Sequence, residues 1–354
     1  MSQILFFNVN GSGMGHMNRC LAYALRLRDR ANVSFFSLAS AVEMIESMGF
    51  EADYYVSHYW SCNTSYDWNQ ELAVRFGMML ERVRPDVVVF DGTWPFQGFM
   101  AACKAYGNPA MVWSNRGLLK PQVKAVPVDE TAFDLIIVPG ELGASFGEEA
   151  LEGGRKRIVV PPVTVLNDAE LMDRNAAREA LGLALDGHYV LFSLGPGNLK
   201  DVSGIGHDLV RRFAAAGFQA IWARAPISVR DAELPEGVKS ISVYPLVRYL
   251  RAFDTFVGAA GYNTCCEVVQ AQVPSLLVPN TLLVDDQLRR ALLVADNALA
   301  VVSACETDAE REQAVGQMLE MMADSKIQAP SMPMNGAAMA AEEILALAIR
   351  RSKR

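Results

Sequence analysis

Only four histidines occur in this sequence of 354 residues, His16, His58, His188 and His207, so acid–base chemistry near neutral pH has few candidates. His16 stands apart. It ends the run Asn10-Gly11-Ser12-Gly13-Met14-Gly15-His16, which follows an apolar stretch at 4–9 and precedes a helical pattern. In an open α/β sheet such a strand-to-helix handover borders the ligand crevice, and an imidazole there suits a general base. Gly11, Gly13 and Gly15 let the chain turn sharply and bring free N–H groups at a helix start against an anion. A second buried run, Val87-Val88-Val89-Phe90, delivers Asp91 to the same sheet edge. A carboxylate there can orient the imidazole and stabilise its protonated form. The local alternatives are that His16 packs on its loop and Asp91 caps the next helix. The glycine run is no dinucleotide fingerprint, because its third glycine position is His16 and Ser37-Leu38-Ala39-Ser40 offers no acid for a ribose. No phosphate-loop motif GxxxxGK[ST] occurs either.

A second constellation lies after residue 190. Ser193-Leu194-Gly195-Pro196-Gly197-Asn198 follows a strand pattern and can cradle a phosphate, or be an ordinary loop. Gly258-Ala259-Ala260-Gly261-Tyr262-Asn263-Thr264 follows another, with Glu267 three residues beyond Thr264. N–H groups, a hydroxyl and a carboxylate so spaced can hold a diphosphate and a ribose. Thr264 and Glu267 also satisfy a local capping box. Asp285-Asp286-Gln287 can take sugar hydroxyls or merely start a helix, and Tyr244-Pro245-Leu246 can border a base or be a turn.

The elements that must position these groups alternate. Strands are expected over 4–9, 33–37, 86–90, 110–113 and 135–138, and helices over 16–28, 41–48, 69–82 and 97–106. Strands over 189–193, 219–223, 239–243, 255–257, 275–278 and 299–302 follow, with helices over 201–216, 264–272, 285–295, 308–322 and 337–349. Near-continuous apolar strands between helices indicate parallel α/β sheets covered on both faces. Residues 153–157 and 161–162 read as an interdomain link, giving domains 1–160 and 161–330 and a final helix in 331–354.

Composition excludes other classes. A net charge of −8 argues against general nucleic-acid binding. No apolar run approaches the ~18 residues that span a bilayer, and the start MSQILFFNV shows no signal-peptide pattern. A cytoplasmic protein is expected, with its six cysteines reduced and Cys265-Cys266 buried as small apolar residues.

In this order the motifs resemble the GT-B glycosyltransferases that use nucleoside diphosphate sugars, including the peptidoglycan N-acetylglucosaminyltransferase and the UDP-glycosyltransferases. Gly13-Met14-Gly15-His16, the GxxTxxE pattern Gly261-Tyr262-Asn263-Thr264-Cys265-Cys266-Glu267, and Asp286-Gln287 carry the likeness, which extends over essentially the whole chain. It implies two Rossmann-like domains facing a cleft, with the last helix returning to the N-terminal domain. It implies His16 as the base for the acceptor and Asp91 as its partner. Gly195, Gly197 and the 261–264 turn would hold the diphosphate, Glu267 the ribose, Asp286 and Gln287 the donor sugar. Ser193, Asn198 and Tyr244 would complete the donor site. Inversion and UDP are implied too, with no cofactor and no metal, and no Asp-x-Asp motif occurs. Where small-molecule members often carry a phosphate-binding histidine, this chain has Ala259. For a small-molecule acceptor bearing a hydroxyl or amine, Trp60, Trp94 and Trp113 are the candidate stacking surfaces, loop packing being the alternative. A nucleotide-sugar hydrolase or epimerase, or a non-catalytic binder, remain as other readings.

Overall fold

The computed structural model describes all residues except 10–12, 116–117, 125, 196–202, 229–233, 281–283, 298, 324–333 and 353–354. The chain divides into two compact units, Met1–Val165 with Met334–Arg354, and Leu166–Pro333.

The first unit holds β1 (Ser2–Asn8), α1 (Gly15–Leu27), β2 (Ala31–Ser37), α2 (Glu43–Ser47), β3 (Glu51–Tyr54), α3 (Ser65–Val83), β4 (Val87–Asp91), α4 (Gln97–Tyr106), β5 (Ala110–Ser114), β6 (Leu135–Pro139), β7 (Gly147–Ala150) and β8 (Lys156–Val160). Its eight strands order as β3-β2-β1-β4-β5-β6-β8-β7. All pair parallel except the β7–β8 hairpin. On one face, α3 and α4 cover a core built on Phe7, Phe36, Phe76, Phe90 and Phe99. Phe90 and Phe99 lie 4.7 Å apart between ring centroids, and Phe7 stacks on Phe36 and on Phe90 at 5.3 Å. Strand alternation turns Ile4, Phe6, Val87 and Val89, all fully buried, to the opposite face.

The second unit holds α5 (Arg174–Ala180), β9 (Tyr189–Ser193), α6 (Ser203–Ala215), β10 (Gln219–Ala223), β11 (Lys239–Ile241), β12 (Thr255–Ala259), α7 (Tyr262–Ala271), β13 (Ser275–Val278), α8 (Gln287–Ala295), β14 (Ala300–Val302) and α9 (Asp308–Ala323). Its all-parallel sheet runs β11-β10-β9-β12-β13-β14. Leu209, Phe213, Val315 and Met318 bring α6 and α9 onto Phe192, Trp222 and Leu276.

The last helix, α10 (Gly336–Ser352), belongs to the first unit, where its buried Ala337, Ala340, Ala341, Ile344 and Ala348 pack on α1 and the sheet. Asn335 holds its start, donating from Nδ2 to Thr164 O at 2.9 Å and Oγ1 at 3.0 Å. Arg30–Glu342 and Lys156–Glu343 pairs flank it. A Cβ on Gly336 would stand 2.0 Å from Pro161 O, so Gly336→Ala must displace backbone. We expect it to cost about 1–3 kcal/mol, read as a lower chemical-denaturation midpoint.

Two sequence expectations need correction. Residues 153–157 are not an interdomain link, since the β7–β8 hairpin spans them and β8 joins the first sheet; the units divide at Val165/Leu166 rather than 160/161. The exposed edge strand β7, Gly147–Ala150, carries two glutamates and no apolar alternation, so nothing local marks it. The helix expected at 264–272 starts earlier, at Tyr262.

Candidate active site

The catalytic candidates of the first unit converge where its topology switches. β1 lies between β2 and β4, so the chain leaves β1 toward one side and returns on the other. Ligands of open α/β sheets bind at the carboxyl ends of such strands. Asn8, last in β1, is in register with Asp91, last in β4, and Asp91 with Ser114, last in β5. α1 starts above this edge and places His16 in its first turn.

His16 Nδ1 lies 2.6 Å from Asp91 Oδ1. Sequence reasoning missed the third member, Arg19, one turn along α1 on the same face. Its Nε donates to Asp91 Oδ2 at 3.0 Å and its Nη2 to Oδ1 at 2.6 Å, a two-point fork. Ser114 Oγ donates to Oδ2 at 2.7 Å, and Tyr23 OH lies 3.2 Å from that hydroxyl. Arg19 Nη2 also stands 2.9 Å from His16 Nδ1. A guanidinium can only donate, and Nδ1 can carry a proton or accept one, not both. A proton on Nδ1 would serve the shorter contact, to Asp91, and leave the lone pair on Nε2. Asp91 is fully buried and Arg19 is 1% exposed. Burial pushes the Asp91 carboxyl up, but Arg19 and His16 outweigh it and hold it below its ordinary value. The helix-cap alternative for Asp91 therefore fails: its oxygens serve His16, Arg19 and Ser114. An arginine three residues after a histidine was the available sequence signal; it gains meaning only once a buried carboxylate is known to face both.

Of the loop's three glycines, Gly13 and Gly15 lie among the described residues. Gly13 and Gly15 have no left-handed backbone, and no described atom lies within 4 Å of where a Cβ would stand. Among the described residues nothing crowds either position, and neither has a backbone that demands glycine. Gly11 lies outside the described residues.

The second unit has its own switch point, between β9 and β12. Ser193 is in register with Gly258. A Cβ on Gly258 would meet the Phe256 ring at 2.3 Å and Ser193 O at 2.8 Å, so glycine is required by this close approach. Gly195 has φ +98°, a turn that suits glycine, and no described atom lies within 4 Å of its Cβ position. Gly197 and Asn198 lie outside the described residues.

Gly261 is the N-cap of α7, and no side chain caps that helix. Thr264 is thus the third helical residue, and the local capping box with Glu267 does not form. Thr264 Oγ1 lies 3.9 Å from the Cβ position of Gly261, pointing back toward the helix start. Asn263 Oδ1 is buried without a hydrogen-bond partner among the described residues. Burial pushes the Glu267 carboxyl up from 4.5 to about 8. Burial, then the charge of Glu267, raises the Tyr244 phenol.

The Asp286 and Gln287 side chains do local work. Asp286 caps α8, accepting from Arg289 N at 3.1 Å, and Gln287 Oε1 accepts from Asn280 N at 2.9 Å. Beside them sits a pair the sequence did not single out. Arg290 donates to both Asp285 oxygens at 2.8 Å, and its guanidinium lies 5.7 Å from the centroid of the Tyr262 ring. That pair ties α8 to the first residue of α7.

The three tryptophans part company. Trp113 is 3% exposed, packs on Phe133 at 5.5 Å and donates its indole N–H to Gly92 O at 2.9 Å, so it is a core residue rather than a stacking surface. Trp94 is half-buried, while Trp60 is exposed and meets Tyr59 edge-on at 4.9 Å. Cys265 and Cys266 are buried, as expected of small apolar residues. No helix among the described residues is long and apolar enough to cross a membrane.

Residues 230–346 match the family model described as the glycosyltransferase family 28 C-terminal domain. No curated protein matches the chain by sequence. Among solved structures it is similar to the spinosyn forosaminyltransferase SpnP, with TM-score 0.63 and 18% identity over 99% of this chain and 95% of that one. It is also similar to Acinetobacter baumannii MurG, with TM-score 0.58 and 14% identity over 97% and 99%. A Listeria monocytogenes protein assigned as a UDP-N-acetylglucosamine 2-epimerase matches with TM-score 0.63 and 14% identity over 98% and 96%. These likenesses bear out the resemblance drawn from the motifs: the chain has the GT-B fold, and its residues 230–346 match a glycosyltransferase C-terminal domain.

Proposed function

We propose that this protein is an inverting glycosyltransferase. It moves a sugar from a nucleoside diphosphate sugar, with UDP the expected nucleotide, to a hydroxyl or amine of a small-molecule acceptor, using no metal or cofactor. The observation that carries the reading is the His16 imidazole held by Asp91 at 2.6 Å on the switch-point edge of the first sheet.

His16 Nε2 takes the acceptor O–H or N–H proton as that atom attacks the anomeric carbon. The bond from that carbon to the phosphate oxygen breaks, and its electron pair leaves with the nucleoside diphosphate. A single displacement inverts the anomeric centre. Negative charge grows on the departing phosphate, and the uncapped start of α7 with Thr264 offers N–H and O–H donors for it. Glu267 is assigned to the ribose hydroxyls. With net charge −8, the chain must hold the anion by such local donors rather than by its overall field.

The experiment is a thermal-shift panel of UDP, dTDP, GDP and their sugars, followed by turnover with and without an acceptor pool. UDP or a UDP-sugar should raise the melting temperature most; no shift with any nucleotide overturns the donor assignment. The similarity to the protein assigned as an epimerase supports a second reading, epimerisation or hydrolysis of the donor. That reading requires donor turnover when acceptor is withheld, whereas a transferase leaves the donor nearly intact.

A further inference from the structure

Arg19 is an unusual expenditure of charge: a guanidinium 1% exposed, beside a carboxylate with no exposure at all. Breaking such a buried pair is strongly destabilising, yet apolar replacements of both partners are often neutral, so stability alone is a weak reason to keep it. The geometry gives another. Asp91 receives four hydrogen bonds, from Arg19 Nε and Ser114 Oγ on Oδ2 and from Arg19 Nη2 and His16 Nδ1 on Oδ1.

We propose that Arg19 is a positioning residue for the base: its fork fixes the Asp91 carboxylate that orients His16, and its charge offsets that carboxylate, so the imidazole stays neutral and able to take a proton on Nε2. The proposal rests on the reading of His16 as the general base. A lone carboxylate 2.6 Å from an imidazole favours the imidazolium; a carboxylate already neutralised by a guanidinium orients the ring with much less of that bias.

On α1, Cys20 and Tyr23 are held neutral, burial and the Asp91 charge raising both pKa values. On β1 and β2 the neighbours are uncharged: Asn8 Nδ2 donates to Ser37 Oγ at 2.9 Å. β5 contributes the Ser114 hydroxyl. The packed helix α10 places Glu342 and Glu343 on Arg30 and Lys156 instead.

The test is the pH profile of kcat/KM for transfer in the wild type, Arg19→Gln, Arg19→Lys and His16→Ala. Arg19→Gln should move the acidic limb up by about 1 pH unit or more, losing about tenfold at pH 6.5 and recovering at higher pH. Arg19→Lys keeps the charge without the fork, so its limb should stay in place while kcat falls. A purely structural Arg19 would lower activity equally at every pH, and an unmoved limb in a folded Arg19→Gln overturns the proposal. Should Arg19→Gln not fold, ring-nitrogen NMR of the wild type decides: His16 should be neutral at pH 7 with its proton on Nδ1. An imidazolium at pH 7, or a proton on Nε2, overturns the proposal. If His16→Ala retains transfer, the base reading itself fails. If His16→Ala abolishes transfer while Arg19→Gln leaves the limb unmoved, that reading stands and only the role of Arg19 falls.

Discussion

His16→Ala is expected to lower kcat/KM for sugar transfer by about 10²–10⁴-fold, the usual contribution of a positioned general base, while nucleotide affinity stays within about twofold. The two effects separate because His16 belongs to the first unit and the assigned nucleotide groups to the second. The variant should fold. Asp91 keeps Arg19 and Ser114, so no buried charge loses its only partner, and alanine suits the first turn of α1. The lost hydrogen bond is worth about 1 kcal/mol. The checks are steady-state kinetics and nucleotide calorimetry on the same preparation. Unchanged turnover with unchanged binding would sink the catalytic assignment and leave a nucleotide-sugar binder.

The second large effect is a proton linked to donor binding. Glu267 has a carboxyl raised to about 8 by burial, so it is mostly protonated in the free protein at pH 7. A ribose diol offers two O–H donors, which suit a carboxylate accepting on both oxygens. Binding should then expel the proton. UDP affinity should rise about tenfold per pH unit below about 8 and level off above it. Glu267→Gln should abolish the Glu267 contribution to that slope and weaken UDP at pH 8 by about 10–100-fold. Ionisation of the nucleotide phosphate is common to both proteins, so the difference between the curves isolates Glu267. Calorimetry in buffers of different ionisation enthalpy should show close to one proton released at pH 7 in the wild type. A pH-independent difference rules the assignment out.

The same carboxyl makes a stability statement whose sign follows from the direction of its shift. Its pKa is higher folded, about 8, than its ordinary 4.5. The folded state therefore binds the proton more tightly, and the unfolded state holds fewer protons between those values. This contribution is fully present below 4.5 and is lost as pH rises through 8. The slope is at most about 1.4 kcal/mol per pH unit, and less because the residue is not wholly enclosed. Denaturation midpoints of the wild type minus those of Glu267→Gln should fall from pH 5 to pH 8.

Much of this was legible in one dimension. Buried parallel strands are apolar runs, and 189–193, 219–223 and 275–278 fall where β9, β10 and β13 lie. His16 and Asp91 could be paired because each ends a strand-to-helix handover, and parallel strands bring such ends to one edge. β7 escaped because an exposed edge strand has no inward face to write an apolar pattern. The role of Trp113 escaped because an aromatic at a strand end looks the same whether it faces a ligand or the core. Whether Thr264 and Glu267 capped α7 turned on where the helix begins, and Gly261 versus Thr264 as N-cap is a difference of backbone geometry that either motif permits.

Local order along the chain thus determined the fold class, the two sheets and the pairing of His16 with Asp91, because strand and helix periodicity and chain direction are local properties. Only the tertiary structure decided what surrounds them. The fork of Arg19 on Asp91, the seclusion that raises Glu267 and the turning of Trp113 into the core are matters of distance and dielectric. The fork alone joins residues 72 positions apart out of water, and no spacing rule in a sequence reports that.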